Sequence, residues 1–136
     1  MRKAVLMAIA LTLPASYLLP AHPSVAGPTR RPILVSIGRI APFGPDDRLP
    51  VKGAVSTEVP RKRVVVKYFK RRPNGNWRLL DTKRPKLTRS RKFETEFARH
   101  TKRGTCKLTA RYPGSRRFLP GQDSARLGCR SGRFRT

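Results

Sequence analysis

Both cysteines of the chain fall in one stretch, Gly104 to Cys129, inside two runs whose apolar positions mirror each other. Cys106, Leu108 and Ala110 alternate with polar residues on the way out, and Ala125, Leu127 and Cys129 do so on the way back. Alternation at a period of two puts every second side chain on one face of a strand, so the two runs predict an antiparallel hairpin. The intervening loop holds Pro113-Gly114 and Pro120-Gly121, dipeptides that break regular structure. One register sets Cys106 opposite Cys129, Leu108 opposite Leu127 and Ala110 opposite Ala125, gathering all six on a buried face. A chain with this constraint is a β-sheet protein, with the cysteine pair as a disulfide between neighbouring strands. Closing a loop of this length contributes about 3 kcal/mol on the chain-entropy account. A redox or nucleophilic cysteine is the competing reading, but there is no CxxC motif, and beyond the first segment His100 is the sole imidazole.

A structural disulfide needs an oxidising compartment, and the start of the chain agrees. Met1-Arg2-Lys3 is basic, Ala4 to Leu13 is apolar, Pro14 follows, and Ser24-Val25-Ala26 gives a small-x-small pattern. This is the layout of a secretory signal peptide, with cleavage expected after Ala26 and Pro20-Ala21 as the second candidate. Pro14 and Pro20 leave the apolar run short for an uncleaved membrane anchor. The expected product is secreted, extracellular or periplasmic, and soluble.

The charge is the second constraint. The chain carries 32 Lys and Arg against 7 Asp and Glu, a net +25; without Arg2 and Lys3 the balance is 30 against 7, or +23. Such an excess repels itself in the compact state and attracts polyanions. Arginine outnumbers lysine, which codon bias alone can produce, so a selected polyanion surface and a compositional origin stand side by side at this level.

Beyond Ala26, residues 27–32 read as a flexible lead-in. Ile33 to Ile40 reads as a strand with Ile33, Val35 and Ile37 on one face, and Leu49 to Val59 as a second with Val51, Gly53 and Val55 together. Val64 to Phe69 is the most apolar run, and its β-branched and aromatic density predicts a central position. Asn74-Gly75 then predicts a two-residue type I′ hairpin returning through Trp77 to Thr82. That register sets Trp77 opposite Arg72 and Leu79 opposite Lys70, and leaves open whether Trp77 anchors the core or faces outward. Lys83 to Lys92 has six basic residues, no acid and Pro85, and reads as a loop or edge. Phe93, Thr95 and Phe97 alternate with Glu94 and Glu96 as a half-buried strand, and Arg99 to Arg103 is a turn. The domain spans 33–130, followed by a short unstructured basic tail over 131–136. Seven strand-like runs separated by Pro and Gly turns, with no ten-residue helical pattern after the leader, predict an all-β sandwich of antiparallel strands.

The order of Val51-Lys52-Gly53-Ala54-Val55, Val64-Val65-Val66, Trp77-Arg78-Leu79-Leu80, Phe93 and Gly104 to Gly114 resembles the immunoglobulin-like modules of bacterial secreted and surface proteins. The resemblance covers roughly Ile33 to Cys129. Cys106 stands where an aromatic is common, and the expected bridge joins neighbouring strands instead of crossing between sheets. Both departures favour the fibronectin III-like or transthyretin-like group over antibody-type domains. A shared sandwich transmits no function.

Catalysis finds few convergent groups. Asp46-Asp47 in a Pro-Gly loop reads as turn formation, His100 as a solvated imidazole in a basic turn, and neither metal-ligand spacing nor a phosphate-cradling glycine loop is present. No enzyme activity, cofactor or small-molecule substrate is expected. The candidate binding residues are Arg61, Lys62, Arg63, Lys70, Arg71, Arg72, Lys83, Arg84, Lys86, Arg89, Arg91 and Lys92, with Arg99, Lys102 and Arg103 as a further cluster. Guanidinium forks match phosphate, sulfate and carboxylate. The expected partners are anionic cell-wall or extracellular polymers, with DNA bound non-specifically and membranes only through surface charge. A nucleic-acid-binding protein is the alternative, though no exposed aromatic row for base stacking is evident. An inhibitor or accessory domain acting on another secreted protein is a third.

Overall fold

The computed structural model describes residues 29–38, 47–60, 63–100 and 102–133. The expected leader, Asp46 and the candidate residues Arg61 and Lys62 lie outside them.

Seven strands form: β1 (Val35–Ile37), β2 (Arg48–Val55), β3 (Val65–Arg71), β4 (Trp77–Lys83), β5 (Lys92–Ala98), β6 (Thr105–Tyr112) and β7 (Gly121–Gly128). They make two antiparallel sheets, a three-stranded one in the order β1-β2-β5 and a four-stranded one in the order β4-β3-β6-β7. The all-β sandwich expected from the sequence is present, and no helix among the described residues is long and apolar enough to cross a membrane.

Alternation decides what is buried. Leu49, Val51 and Val55 of β2, Phe93 and Phe97 of β5, Val66 and Tyr68 of β3, and Cys106, Leu108, Ala110 and Tyr112 of β6 all fill one core, joined by Ile33, Val35 and Leu127. The Tyr68 and Phe97 rings meet across the sheets with centroids 5.4 Å apart. β3 is central, between β4 and β6, as its composition predicts. Gly53 lies opposite Phe93, whose ring folds so closely over it that an added Cβ would sit 2.2 Å from Cζ. At the other edge the half-buried Ile37 amide donates to Asp123 Oδ2 at 2.7 Å, tying β1 to β7.

The hairpin built on the cysteines is real, but its register differs from the expected one by two residues. Cys106 faces Leu127, Leu108 faces Ala125 and Ala110 faces Asp123. Cys129 lies just past β7, where its amide donates to the Gly104 carbonyl at 3.0 Å. The Cys106–Cys129 disulfide forms all the same, along a diagonal of the ladder with Cα atoms 4.9 Å apart, and both residues are buried. It joins neighbouring strands of one sheet. An offset of two residues preserves which face each side chain uses, so alternation alone cannot separate the two registers.

The β3–β4 turn is also different. Gly75 N donates to Arg72 O and Arg72 N to Asn76 O, closing a three-residue loop of Pro73, Asn74 and Gly75. Only Gly75 takes a positive φ, 85°. Pro73 would flank a two-residue Asn74-Gly75 turn, and having no N–H it cannot donate the bond to Asn76 O that closes one; Arg72 N makes that bond instead. Trp77 therefore faces Arg71 and Leu79 faces Phe69, and a bulge after Leu79 turns Leu80 toward the core. Nor are the flanks loose as expected. Arg31 pairs with the 113–120 loop through Arg31 N to Arg117 O and Leu119 N to Arg31 O. Residues 130–133 form a turn in which Gly128 N donates to Arg133 O, with Gly132 buried.

Replacing Cys106 and Cys129 together by alanine should lower unfolding free energy by about 3 kcal/mol, measured by denaturant titration of oxidised and variant protein. A change below ~1 kcal/mol would mean that the bridge is redundant with the β6–β7 ladder.

The hydroxyl of Tyr68 has no hydrogen-bond partner among the described residues, and burial pushes its pKa up from 10.0 to about 12. Above pH 10 the unfolded chain releases this proton while the native protein keeps it. The contribution is intact below pH 10 and is lost as pH rises toward 12, at up to about 1.4 kcal/mol per pH unit. Tyr68→Phe should flatten the fall in stability between pH 9.5 and 11.5; an unchanged slope would contradict a buried phenol.

Candidate functional site

The described residues singled out from the sequence fall into two groups at opposite ends of the sandwich. The β4–β5 connection crosses between sheets at one end of the sandwich, where Arg63 bridges to Lys86 and Arg63 Nη1 donates to Arg84 O at 3.2 Å. Lys83, Arg84, Lys86, Arg89, Arg91 and Lys92 all belong to this end, and Lys83 is already paired with Asp81 at 3.4 Å. Arg91 sits in a tight turn closed by Thr88, with a positive φ of 63°. Lys70, Arg71 and Arg72 lie at the opposite end, the end of the β3–β4 turn.

What the strands do bring together is a surface no run of sequence displays. On the outer side of the four-stranded sheet, Arg126, Lys107, Phe69 and Leu79 form one row across all four strands. The next row is Ser124, Thr109, Lys67 and Thr82. Arg71 and Trp77 face each other on the same side, and Gln122, Arg111 and Val65 make a further row. Five cations thus share a face with Trp77, Phe69 and Leu79, the last 48% exposed. No acid occupies an outward position there, because Asp81 and Asp123 fall in the inward register.

The opposite sheet is different. On its outer side Lys52 faces Glu94 across β2 and β5 with an ion pair of 3.1 Å, and Arg48 reaches Glu96 at 3.8 Å. These exposed pairs add little stability, but they offset two of the three cations there and leave Lys92, opposite Ala54, as the surplus. The larger positive surplus is left on the four-stranded side and at the ends.

Lys107 lies directly opposite Arg126, an unfavourable cross-strand pairing of like charge. Its ammonium leans the other way, 4.4 Å from the Trp77 ring centroid and 5.1 Å from that of Phe69. The ring faces carry negative quadrupole charge and partly compensate the cation. Trp77 is half-buried here, on the outer face and not in the core. The sequence signal for this platform lies in the outward alternate positions of β3 and β6, read together with Trp77, but assembling them needs the strand order.

At the β3–β4 turn end a second concentration lies between the sheets. Lys70 and Arg78 face each other at the inward rim of β3 and β4. His100, half-buried in the β5–β6 connection, has its pKa lowered by burial and then by Lys70, Arg78 and Lys102. Asp47 is engaged by Arg99 Nη1 at 2.6 Å. Among the described residues no group of three or more His, Cys, Asp or Glu is placed to hold a metal ion. Neither a protein-family model nor a curated protein matches the sequence.

Trp77 is the single tryptophan of the chain, which makes the field around this face measurable. Quenching of its fluorescence by iodide should exceed quenching by caesium, and the difference should shrink as sodium chloride is added. Equal quenching by the two ions at low salt would show that the face is not electropositive.

Proposed function

We propose that this protein is an exported, non-enzymatic immunoglobulin-like module that adheres to anionic polymers at the cell envelope through the outer face of its four-stranded sheet. The observation that carries the reading is the asymmetry of the two outer faces: one pairs Arg48 and Lys52 with Glu96 and Glu94 and keeps Lys92 besides, the other sets Lys67, Arg71, Lys107, Arg111 and Arg126 together with no acid. Export is supported by the leader-like start, with cleavage after Ala26, and by the buried disulfide. The narrower fold assignment is supported by strand order: β1-β2-β5 corresponds to strands A, B and E of an immunoglobulin sandwich. The fourth strand has joined the sheet of C, F and G instead of pairing at the edge of E. That arrangement favours the fibronectin III-like branch of the resemblance.

Phe69 and Trp77 among cations also favour a second reading, single-stranded nucleic acid stacking on the half-buried rings once Lys107 swings aside. The two readings differ in the role of Trp77. Adhesion to wall polymer or acidic glycan by charge should survive Trp77→Ala, whereas base stacking should lose about 1–3 kcal/mol.

Retention on immobilised wall polymer, heparin-like glycan and DNA should fall steeply with salt. Lys67→Ala with Arg126→Ala should reduce the salt slope by about 2, one per lost contact. Arg84→Ala with Lys86→Ala, at the far end, should leave it nearly unchanged. Retention that is absent at low salt, or that persists at high salt, would overturn the proposal.

A further inference from the structure

Beside the disulfide, at the β3–β4 turn end, the β5–β6 connection and the turn after β7 enclose a cleft of about 400 Å³, lined by Arg99, Arg103, Gly104, Gly128, Arg130 and Ser131. Three of its six lining residues are arginines, and Gly104 brings exposed main chain to it, while Gly128 lies buried beneath. Gly104 is held to glycine by its backbone, and Gly128 packs closely against the Ser131 side chain. Gly104 has φ 138°, and a Cβ on Gly128 would lie 2.4 Å from Ser131 Oγ. The disulfide fixes the base, since Cys129 N bonds Gly104 O and the Cys129 sulfur lies 4.0 Å from the position of a Gly104 Cβ. One wall is also held in advance: Arg99 donates from Nε to Arg130 O at 3.1 Å and from Nη1 to Asp47 at 2.6 Å.

We propose that this cleft is a binding site for a dianionic oxyanion, a terminal phosphoryl group for which free phosphate and sulfate are the simplest stand-ins, separate from the sheet face. Arg103 and Arg130 are exposed, and no ion pair to either is present among the described residues. Among the described residues Asp47 is the acid at this corner, and Arg99 holds it. Lys70, with its Cε 3.6 Å from the position of a Gly104 Cβ, Arg78 and Lys102 extend the positive field around the rim. His100 beside this rim has its pKa lowered, first by burial and then by Lys70, Arg78 and Lys102. Guanidinium groups donate in a planar fork that matches such oxygens, and several cations around one cleft favour a doubly charged group over a carboxylate. The volume exceeds that of one oxyanion, so the group enters as part of a larger carrier, free or polymeric. The inference does not rest on the face being an adhesive surface, because the two share no residue among those proposed to bind.

The test uses inorganic sulfate, inorganic phosphate and acetate, each at constant ionic strength balanced with sodium chloride. The Gly104 and Gly128 amide resonances report the cleft directly, and the pH titration of His100, assigned by its loss in His100→Gln, reports the field. Sulfate and phosphate should give saturable shifts of both glycine amides and raise the His100 midpoint, and acetate should do neither. Arg103→Ala with Arg130→Ala should weaken half-saturation by on the order of tenfold or more, and the lysine pair Arg103→Lys with Arg130→Lys should restore part of it. Lys67→Ala with Arg126→Ala should leave cleft binding intact, which separates this site from the face. Both alanine variants must retain the native amide spectrum elsewhere. Shifts that do not saturate, that equal those of chloride, that acetate reproduces, or that survive the arginine-to-alanine pair would overturn the site.

Discussion

The pairing of β3 with β6 at the centre of the four-stranded sheet is the contact on which the other features depend. Val66 against Ala110 and Tyr68 against Leu108 face inward, and the residues between them, Lys67 against Thr109 and Phe69 against Lys107, face outward. A strand offers two faces and nothing else. The ladder that seals the core therefore fixes, at one stroke, which cations share the outer surface. β4 adds Trp77 and Leu79 to that surface, β7 adds Arg126, and the disulfide closes the sheet at its end.

A chain with this charge folds against its own repulsion. The structure deals with that unevenly. Glu94 and Glu96 are spent on the three-stranded face, Asp81 on Lys83, and Asp47 on Arg99. Lys107 opposite Arg126 and Lys70 opposite Arg78 are left as like pairs, one relieved by aromatic rings and the other at a rim that also depresses His100. Like charges held opposite one another cost stability, and a covalent bridge with a dense core offsets such a cost. The concentration of uncompensated cations on one face and at one end is the physical content behind both binding proposals.

Much of the fold was legible in the residues. Strand existence and sidedness followed from alternation, the central place of Val64 to Phe69 from its β-branched density, and the partnership of Cys106 with Cys129 from their mirrored runs. The errors were of one kind. The β6–β7 register slipped by two because a two-residue offset keeps every side chain on its face, and the offset is set by a loop whose length is fixed through contacts of Arg31 with Arg117 and Leu119. At the β3–β4 turn, Asn74-Gly75 pointed to a two-residue loop, but Pro73 lacks the N–H that would close one, and Arg72 N bonds Asn76 O instead.

The candidate sites were less legible, and for a related reason. Runs of basic residues such as Lys83 to Lys92 are conspicuous in sequence, yet folding places them at loops of one end. Lys67, Lys107, Arg111 and Arg126 lie on three strands and are isolated in sequence; only the ladder makes them neighbours. By itself the sequence determined the class of fold, the disulfide partners and the excess of positive charge, because alternation, cysteine count and composition are local quantities. Which cations stand together, that Trp77 lies outside the core, and that three arginines line one cleft were decided by tertiary structure, since strand order and register are set by contacts between residues far apart in the chain.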